Sequence, residues 1–443
     1  MTLSPALAAI LACPQTGHAL KQVEDQLVSE DGQHSYPLID GIPWLIAHPR
    51  NSLLDWGAKL NHFQQTLLQE IALLERDSED ASAVFYSRVE SLLQAKKDFL
   101  LEVTTLLEPL TRAKVASSET YSALRDIAPT TQNLLSYEAN IYRDWQWGEE
   151  ENQQSLELIK KVAPAKLGKL CVLGSGAGRL ALDVHKHLDA DLTVACDINP
   201  MFLLALNKML RGESFFFTEF PLHPKITDYY AIKHQMQALT NVPEGFHLCF
   251  SDAAKPSFKK HSFDTVLTPW IIDIQPYEFS KFLSQLNQYL PIGGAWLNMG
   301  SLVFNQNRDS LCYSSDELVE LAAKAGFELE ELKKTEMPYL KSPYSAGYRM
   351  ETVWSWQAVK RQHVDAEPEL STMPTWLIDT TVPVPVSDVI LRESATSEFL
   401  ANLYKQVDGK RSIQDIARYA AKKDSVDAQE MKQMLVQFFK MRQ

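Results

Sequence analysis

Three glycines at alternate positions, Gly174, Gly176 and Gly178, break an apolar run that begins at Leu170, and a helical pattern resumes at Arg179. That order reads as a strand entering a helix through a loop with almost no side chains. Glycine removes the Cβ atoms that would hold a ligand off the backbone, and the helix N-terminus offers unpaired N–H groups, so the loop suits a nucleotide-like ligand. A dinucleotide fingerprint needs a small residue at the sixth position counted from Gly174. Arg179 stands there, which argues against a pyrophosphate and favours S-adenosylmethionine.

Carboxylates follow at the ends of later apolar runs. Residues 192–196 lead into Asp197, Ile198, Asn199 and Pro200, and residues 246–250 lead to Asp252 and Ala253. A fourth run, 263–267, passes through Thr268 to Asp273. In open parallel sheets ligands sit at the carboxyl ends of the strands, where an acid after the second strand accepts both ribose hydroxyls. Asp252 is of a type to receive a hydrogen from an adenine amino group. Any one of these acids would also serve as an ordinary helix cap.

The elements that must position these groups are spread over a chain of 443 residues, 45% of them hydrophobic, long enough for two or three domains. A formal net charge of −13 opposes nonspecific binding to nucleic acid or anionic membrane. The five cysteines lack paired metal spacing, a usage that suits a reduced, cytoplasmic protein. The apolar stretch 6–13 is too short for an export signal and has no basic flank, and no run reaches the length of a membrane span. Residues 51–134 repeat apolar positions at helical spacing and read as a helical spacer or cap, whereas the segment before them shows two short strands. Residues 137–147 gather aromatics beside Arg143 and Asp144; on a helix Tyr142 and Trp145 would share a face able to cover a cofactor, or simply pack an entry helix.

Two resemblances extend this reading. Residues 10–17, 27–30 and 35–46 resemble the Trm112-like domain, whose relatives act as partners of methyltransferases; only Cys13, His18 and His34 are at hand there as ligands, so no zinc is expected. Residues 143–145, 174–181, 268–273, 293–300, 314–327 and 348–353 together resemble the carnosine N-methyltransferase family. That resemblance implies a class I methyltransferase fold over residues 135–360, Rossmann-like, with a seven-stranded, mostly parallel sheet. A small α+β domain would precede it at 1–50. A linker at 361–375 and a small helical domain at 376–443, similar to PqqD-like and winged-helix modules, would follow.

The resemblance also implies S-adenosylmethionine as cofactor and a histidine imidazole as methyl acceptor, in a small molecule, peptide or protein. Candidate cofactor contacts are Arg143, Trp145, Gly174, Ser175, Gly176, Gly178, Arg179, Asp197, Ile198, Asn199, Asp252, Ala253 and Thr268. For the acceptor they are Asp273, Asn305, which stands where the family has a histidine, and Tyr339, with Tyr344 as its alternative. The chemistry demands placement more than basicity, because an imidazole of ordinary pKa is mostly neutral at pH 7. A carboxylate at Asp273 would fix the tautomer and stabilise the imidazolium product. Another nitrogen or oxygen acceptor, or a binding protein that has lost turnover, are the competing readings.

Overall fold

The computed structural model describes residues 2–80, 83–112, 133–366 (apart from 256, 276–277, 305 and 307–308), 381–384 and 402–440 (apart from 404 and 425–426). The chain forms two compact units, one of Met1–Pro49, Lys59–Lys114 and Gln132–Leu370, the other of Arg50–Ala58, Val115–Thr131 and Ser371–Gln443.

The first unit starts with α1 (Pro5–Ile10), capped by the Ser4 hydroxyl and opened by proline at its first turn. Four short strands follow: β1 (Leu20–Val23), β2 (Gln26–Ser29), β3 (Ser35–Ile39) and β4 (Ile42–Leu45). The sequence pattern had shown two here. The run from Ser35 is cut by Asp40 and Gly41, both at positive φ (51° and 81°), which folds it into a hairpin. Two long helices come next, α2 (Pro49–Asp80) and α3 (Ala83–Leu106), with the short α4 (Glu108–Arg112) after them. Phe99 of α3 packs edge-on against Phe63 and against Phe217.

The αβ region opens with α5 (Ala139–Tyr142), which runs into a π-helical turn (Arg143–Trp147) and then α6 (Glu149–Lys160). Strand and helix then alternate: β5 (Gly168–Leu173), α7 (Arg179–His187), β6 (Ala190–Asp197), α8 (Pro200–Leu210). An antiparallel pair, β7 (Phe215–Glu219) and β8 (Ile232–Met236), is inserted before β9 (Phe246–Ser251) and β10 (Thr265–Pro269). The rest is α9 (Phe279–Tyr289), β11 (Ala295–Gly300), α10 (Ser315–Lys324), β12 (Phe327–Leu329), β13 (Lys333–Tyr339) and β14 (Arg349–Lys360). A complete capping box, Ser314 with Glu317, starts α10.

Strands β9, β6, β5, β10 and β11 lie side by side and parallel; β14 joins antiparallel, and β12 lies beyond it. This is the expected seven-stranded, mostly parallel sheet. Every residue of β10 and of β11 is buried, the continuous apolar reading of strands covered on both faces. Cys171, Cys196 and Cys249 sit in neighbouring buried strands.

The sheet does not end with those seven. β4 pairs parallel to β9, with Trp44 opposite Phe250 and Leu45 opposite Ser251, so β1–β4 continue it to twelve strands when β13, paired to β14, is included. Trp44 is fully enclosed, its ring 4.7 Å from that of Phe250. Among the described residues no cluster of histidine, cysteine or carboxylate is placed to hold a metal, and no helix is long and apolar enough to cross a membrane.

Within the second unit, α11 (Ile413–Asp424) and α12 (Ala428–Lys440) bury Ile413, Ile416, Leu435 and Phe439 together with Val384 and Leu403. Asp408 accepts the Lys410 and Arg411 amides around Gly409, and Ser412 and Asp415 cap α11 reciprocally. The start of the expected helical domain, near residue 376, lies outside the described residues.

Candidate active site

The glycine loop leaves β5 with all three glycines at positive φ, but for different reasons. A Cβ on Gly174 would lie 2.5 Å from Ile271, and one on Gly178 would lie 2.2 Å from Leu206, so these two are dictated by packing. At Gly176 a Cβ would meet nothing within 4 Å. Only there is the backbone bare toward open space. Beside it the Ser175 hydroxyl is buried without a hydrogen-bond partner. A bare backbone and an orphaned hydroxyl, side by side, fit a polar ligand laid across the loop.

Two carboxylates face the same end of the sheet. Asp197, at the end of β6, accepts the Gly176 amide at 2.8 Å and the Asn199 amide at 2.9 Å. Burial pushes its carboxyl up to about 6 against the pull of the Asn199, Gly176 and Ile198 amides. Such a group favours two more donors, which ribose hydroxyls provide. Asp252 follows β9 and accepts the Ala254 amide at 2.9 Å; burial raises its carboxyl too. Its loop is braced by the N-terminal strands. Ser257 donates its hydroxyl to the Leu45 carbonyl at 2.7 Å and shares a 2.8 Å bond with Ser251, while the Ala12 amide donates to the Ser257 carbonyl. These features fit S-adenosylmethionine, whose ribose Asp197 would hold and whose adenine Asp252 and Ala253 would meet.

Other candidates are occupied differently. Asn199 caps α8 through the Met201 amide, with Ile198 half-buried next to it. Thr268 is fully enclosed within the sheet: its hydroxyl accepts from the Trp296 indole at 2.8 Å and bonds the Asn298 amide at 2.7 Å, so its side chain serves the core and not a ligand. Arg179 bonds Asp183, Glu149 and the Asp144 carbonyl and lies over the Trp145 ring, which ties the π turn to α7. Tyr142 and Trp145 do not share a face. The π turn widens the helix between them, so Tyr142 donates to the Thr218 carbonyl and stacks on Phe217, whereas Trp145 donates to Ala177 in the glycine loop.

Past the end of β10 the chain turns sharply. Trp270 adopts φ 52°, a strained value for a bulky residue, and only the missing side chain of Gly300 gives it room, since a Cβ there would be 3.0 Å from the Trp270 backbone. The turn delivers Asp273, 4% exposed, to the end of β11, where the Ser301 hydroxyl donates to its carboxylate. Burial raises the Asp273 carboxyl; Ser301 and the backbone amides of Asp273 and Val303 pull it down, and Glu351 pushes it further up.

The Trp270 ring lies 4.9 Å from that of Tyr339, the last residue of β13. Tyr339 is 8% exposed. Burial raises this phenol although Arg143 and Arg349 both act to lower it. Two buried carboxylates anchor the chain after it: Glu151 accepts the Leu340 and Lys341 amides, and Glu219, also bonded to His234 and Trp147, accepts the Ser342 hydroxyl. Tyr344 packs instead against Tyr229 and His234. Asn305 lies outside the described residues. Sequence reasoning passed over Ser301, which bonds Asp273, and Trp270, which packs on Tyr339. Ser301 carried a signal, since it follows β11 at the ligand-binding end of the sheet.

A family model described as carnosine N-methyltransferase matches residues 125–362, more than half of the chain. None of the curated proteins matches. Among solved structures, a putative methyltransferase from Bacillus halodurans is 14% identical over 47% of this chain and 100% of its own, with a TM-score of 0.34. A complex of the Haloferax volcanii Trm112 methyltransferase activator with a putative methyltransferase gives 13% identity, coverage of 52% and 97%, and a TM-score of 0.36. Phosphoethanolamine N-methyltransferase 2 of Haemonchus contortus, solved with S-adenosylmethionine, gives 16%, coverage of 47% and 53%, and 0.31.

Proposed function

Because the chain belongs to the carnosine N-methyltransferase family and is an S-adenosylmethionine-dependent methyltransferase, we propose that its acceptor is the imidazole nitrogen of a histidine-containing molecule. S-adenosylmethionine supplies a methyl group carried on a sulfonium. The observation that carries the reading is the buried Asp273 carboxylate, held by Ser301 past the end of β10. A carboxylate there accepts the N–H of one ring nitrogen. The other nitrogen then keeps its lone pair free, and the positive charge that develops on the ring is met by a fixed negative group. Trp270 and Tyr339 offer flat apolar faces against which a ring is oriented. No general base is needed, since the acceptor reacts in its neutral form.

The test is Asp273→Asn on an imidazole substrate. Cofactor affinity should stay within a few-fold while turnover falls by about two orders of magnitude or more, as removal of one positioned electrostatic group does elsewhere. The parent rate should rise with pH and level off once acceptor and carboxyl are both deprotonated. Full activity of the Asn variant, or a product methylated on oxygen or carbon, refutes the assignment.

A further inference from the structure

The first turn of α6 carries three consecutive acids, Glu149, Glu150 and Glu151, a run that a helix N-terminus favours by charge alone. They are not equivalent. Glu149 is exposed and reaches Arg179, just past the glycine loop, at 2.8 Å, and Glu150 lies 3.7 Å from the Lys341 ammonium. Glu151 is 4% exposed. Both of its oxygens go to one turn of backbone: Oε2 accepts the Leu340 amide at 3.0 Å and Oε1 the Lys341 amide at 2.7 Å.

That turn follows Tyr339 directly. Leu340 stands at φ 56°, a conformation that a side chain of its size resists, so the chain leaves β13 in a geometry it does not hold unaided. A carboxylate that takes two successive N–H groups holds it there. Glu219, the other acid near this turn, receives only a 3.3 Å bond from the Ser342 hydroxyl and is otherwise engaged by His234 and Trp147. Burial raises the Glu151 carboxyl; the Lys341 amide, the Arg143 charge and the Leu340 amide pull it down, and Asp144 pushes it further up. An apolar side chain would fill the same space without the desolvation of a carboxylate, and the two amides account for the acid.

The holding point is itself fixed from the cofactor side. In the π turn that leads into α6, Trp145 donates to the Ala177 carbonyl of the glycine loop, and Arg179 bonds the Asp144 carbonyl as well as Glu149. The π turn and the first turn of α6 thus grip the glycine loop with one set of residues and the chain beyond Tyr339 with another.

We propose that Glu151 is a positioning residue for methyl transfer: through the Leu340 and Lys341 amides it sets the Tyr339 ring against Trp270, and with that ring the placement of the acceptor. It touches neither acceptor nor cofactor, and its role rests on the reading above of Tyr339 as a face of the acceptor site.

The central variant is Glu151→Gln, which keeps the size of the side chain but turns an NH2 group toward one of the two amides, donor against donor. Carnosine and L-histidine serve as acceptors and S-adenosylhomocysteine as the cofactor-site ligand. The acceptor KM should rise about tenfold or more, as expected for lost hydrogen bonds to a charged group, while calorimetric affinity for S-adenosylhomocysteine stays within about threefold. Tyr339→Leu should lose at least as much, and the double variant should be no worse than Tyr339→Leu alone, because Glu151 acts through that ring. Hydrogen exchange of the S-adenosylhomocysteine complex reads the same hold without turnover: residues 333–348 should exchange faster in Glu151→Gln than in the parent, with residues 168–187 unchanged. Unfolding curves show that the variants fold, and Glu151→Asp, which keeps the charge on a shorter arm, gives the same comparison if the Gln variant does not. Additive losses in the double variant, cofactor affinity that falls by the same factor as acceptor KM rises, or unchanged exchange at 333–348 overturns the role of Glu151 and leaves the imidazole reading standing. A parent that methylates neither acceptor overturns the imidazole reading, and the exchange comparison then decides Glu151 by itself.

Discussion

The Asp197 carboxyl should make cofactor binding depend on pH by an amount that follows from its surroundings. Its pKa of about 6, against an ordinary 3.8, is set by burial and backbone amides alone, with no other charge contributing. Ribose hydroxyls donate to the ionised form, so binding should return the group toward its ordinary value and expel the proton. At pH 5 the free protein holds that proton about nine-tenths of the time, which weakens affinity about tenfold relative to pH 7.5. Without ligand the same shift acts on stability in the opposite direction. A carboxyl whose folded pKa is raised binds its proton more tightly folded than unfolded, so the free protein loses about 3 kcal/mol as pH climbs from about 4 through 6. Titration calorimetry with S-adenosylhomocysteine between pH 5.0 and 7.5, in buffers of different ionisation enthalpy, should show affinity rising to a plateau above about pH 6.5 and nearly one proton released at pH 5. Asp197→Asn should flatten the profile, whereas Asp252→Asn, the control for the other raised acid, should keep it. A parent affinity that stays level across the window, with no proton released, would falsify the ribose role.

The glycines should separate by mechanism. Gly176→Ala has room for its methyl group and should fold with only the roughly 1 kcal/mol strain of a positive φ, yet lose cofactor affinity; Gly178→Ala drives a methyl into Leu206 and should lower the melting temperature first. Ser257→Ala removes the hydroxyl that joins the Asp252 loop to β4 and should cost about 1–2 kcal/mol of stability, with a few-fold weaker grip on the adenine end read by calorimetry. Unchanged cofactor binding in Ser257→Ala would detach the N-terminal strands from the site.

Much of the nucleotide half was legible because its signals are local. Strand, glycine turn, helix and terminal acid each occupy a few consecutive residues, so periodicity and residue type suffice for Gly174–Asp197. For the proposed acceptor half, the sequence offered only an acid, Asp273, and a tyrosine, Tyr339, and not the contacts that hold them. The contact of Trp270 with Tyr339 depends on space left by Gly300, a product of tertiary packing. The π turn defeated a face assignment that assumed ordinary helical pitch, sending Tyr142 and Trp145 to different neighbours. Thr268 misled for a similar reason: a polar residue near a strand end looks like a ligand contact until Trp296 and Asn298 are seen around it.

The pairing of β4 with β9 also sets an order of assembly. Leu45 and Ser257, joined by a hydrogen bond, are 212 residues apart, and a parallel pair has no hairpin to start it. During synthesis Trp44 leaves the ribosome long before Phe250 exists, so β4, paired to β3 on one side, keeps its other edge open until β9 has been made and placed beside β6. The loop bearing Asp252 therefore acquires its final shape only once β4 has closed onto β9.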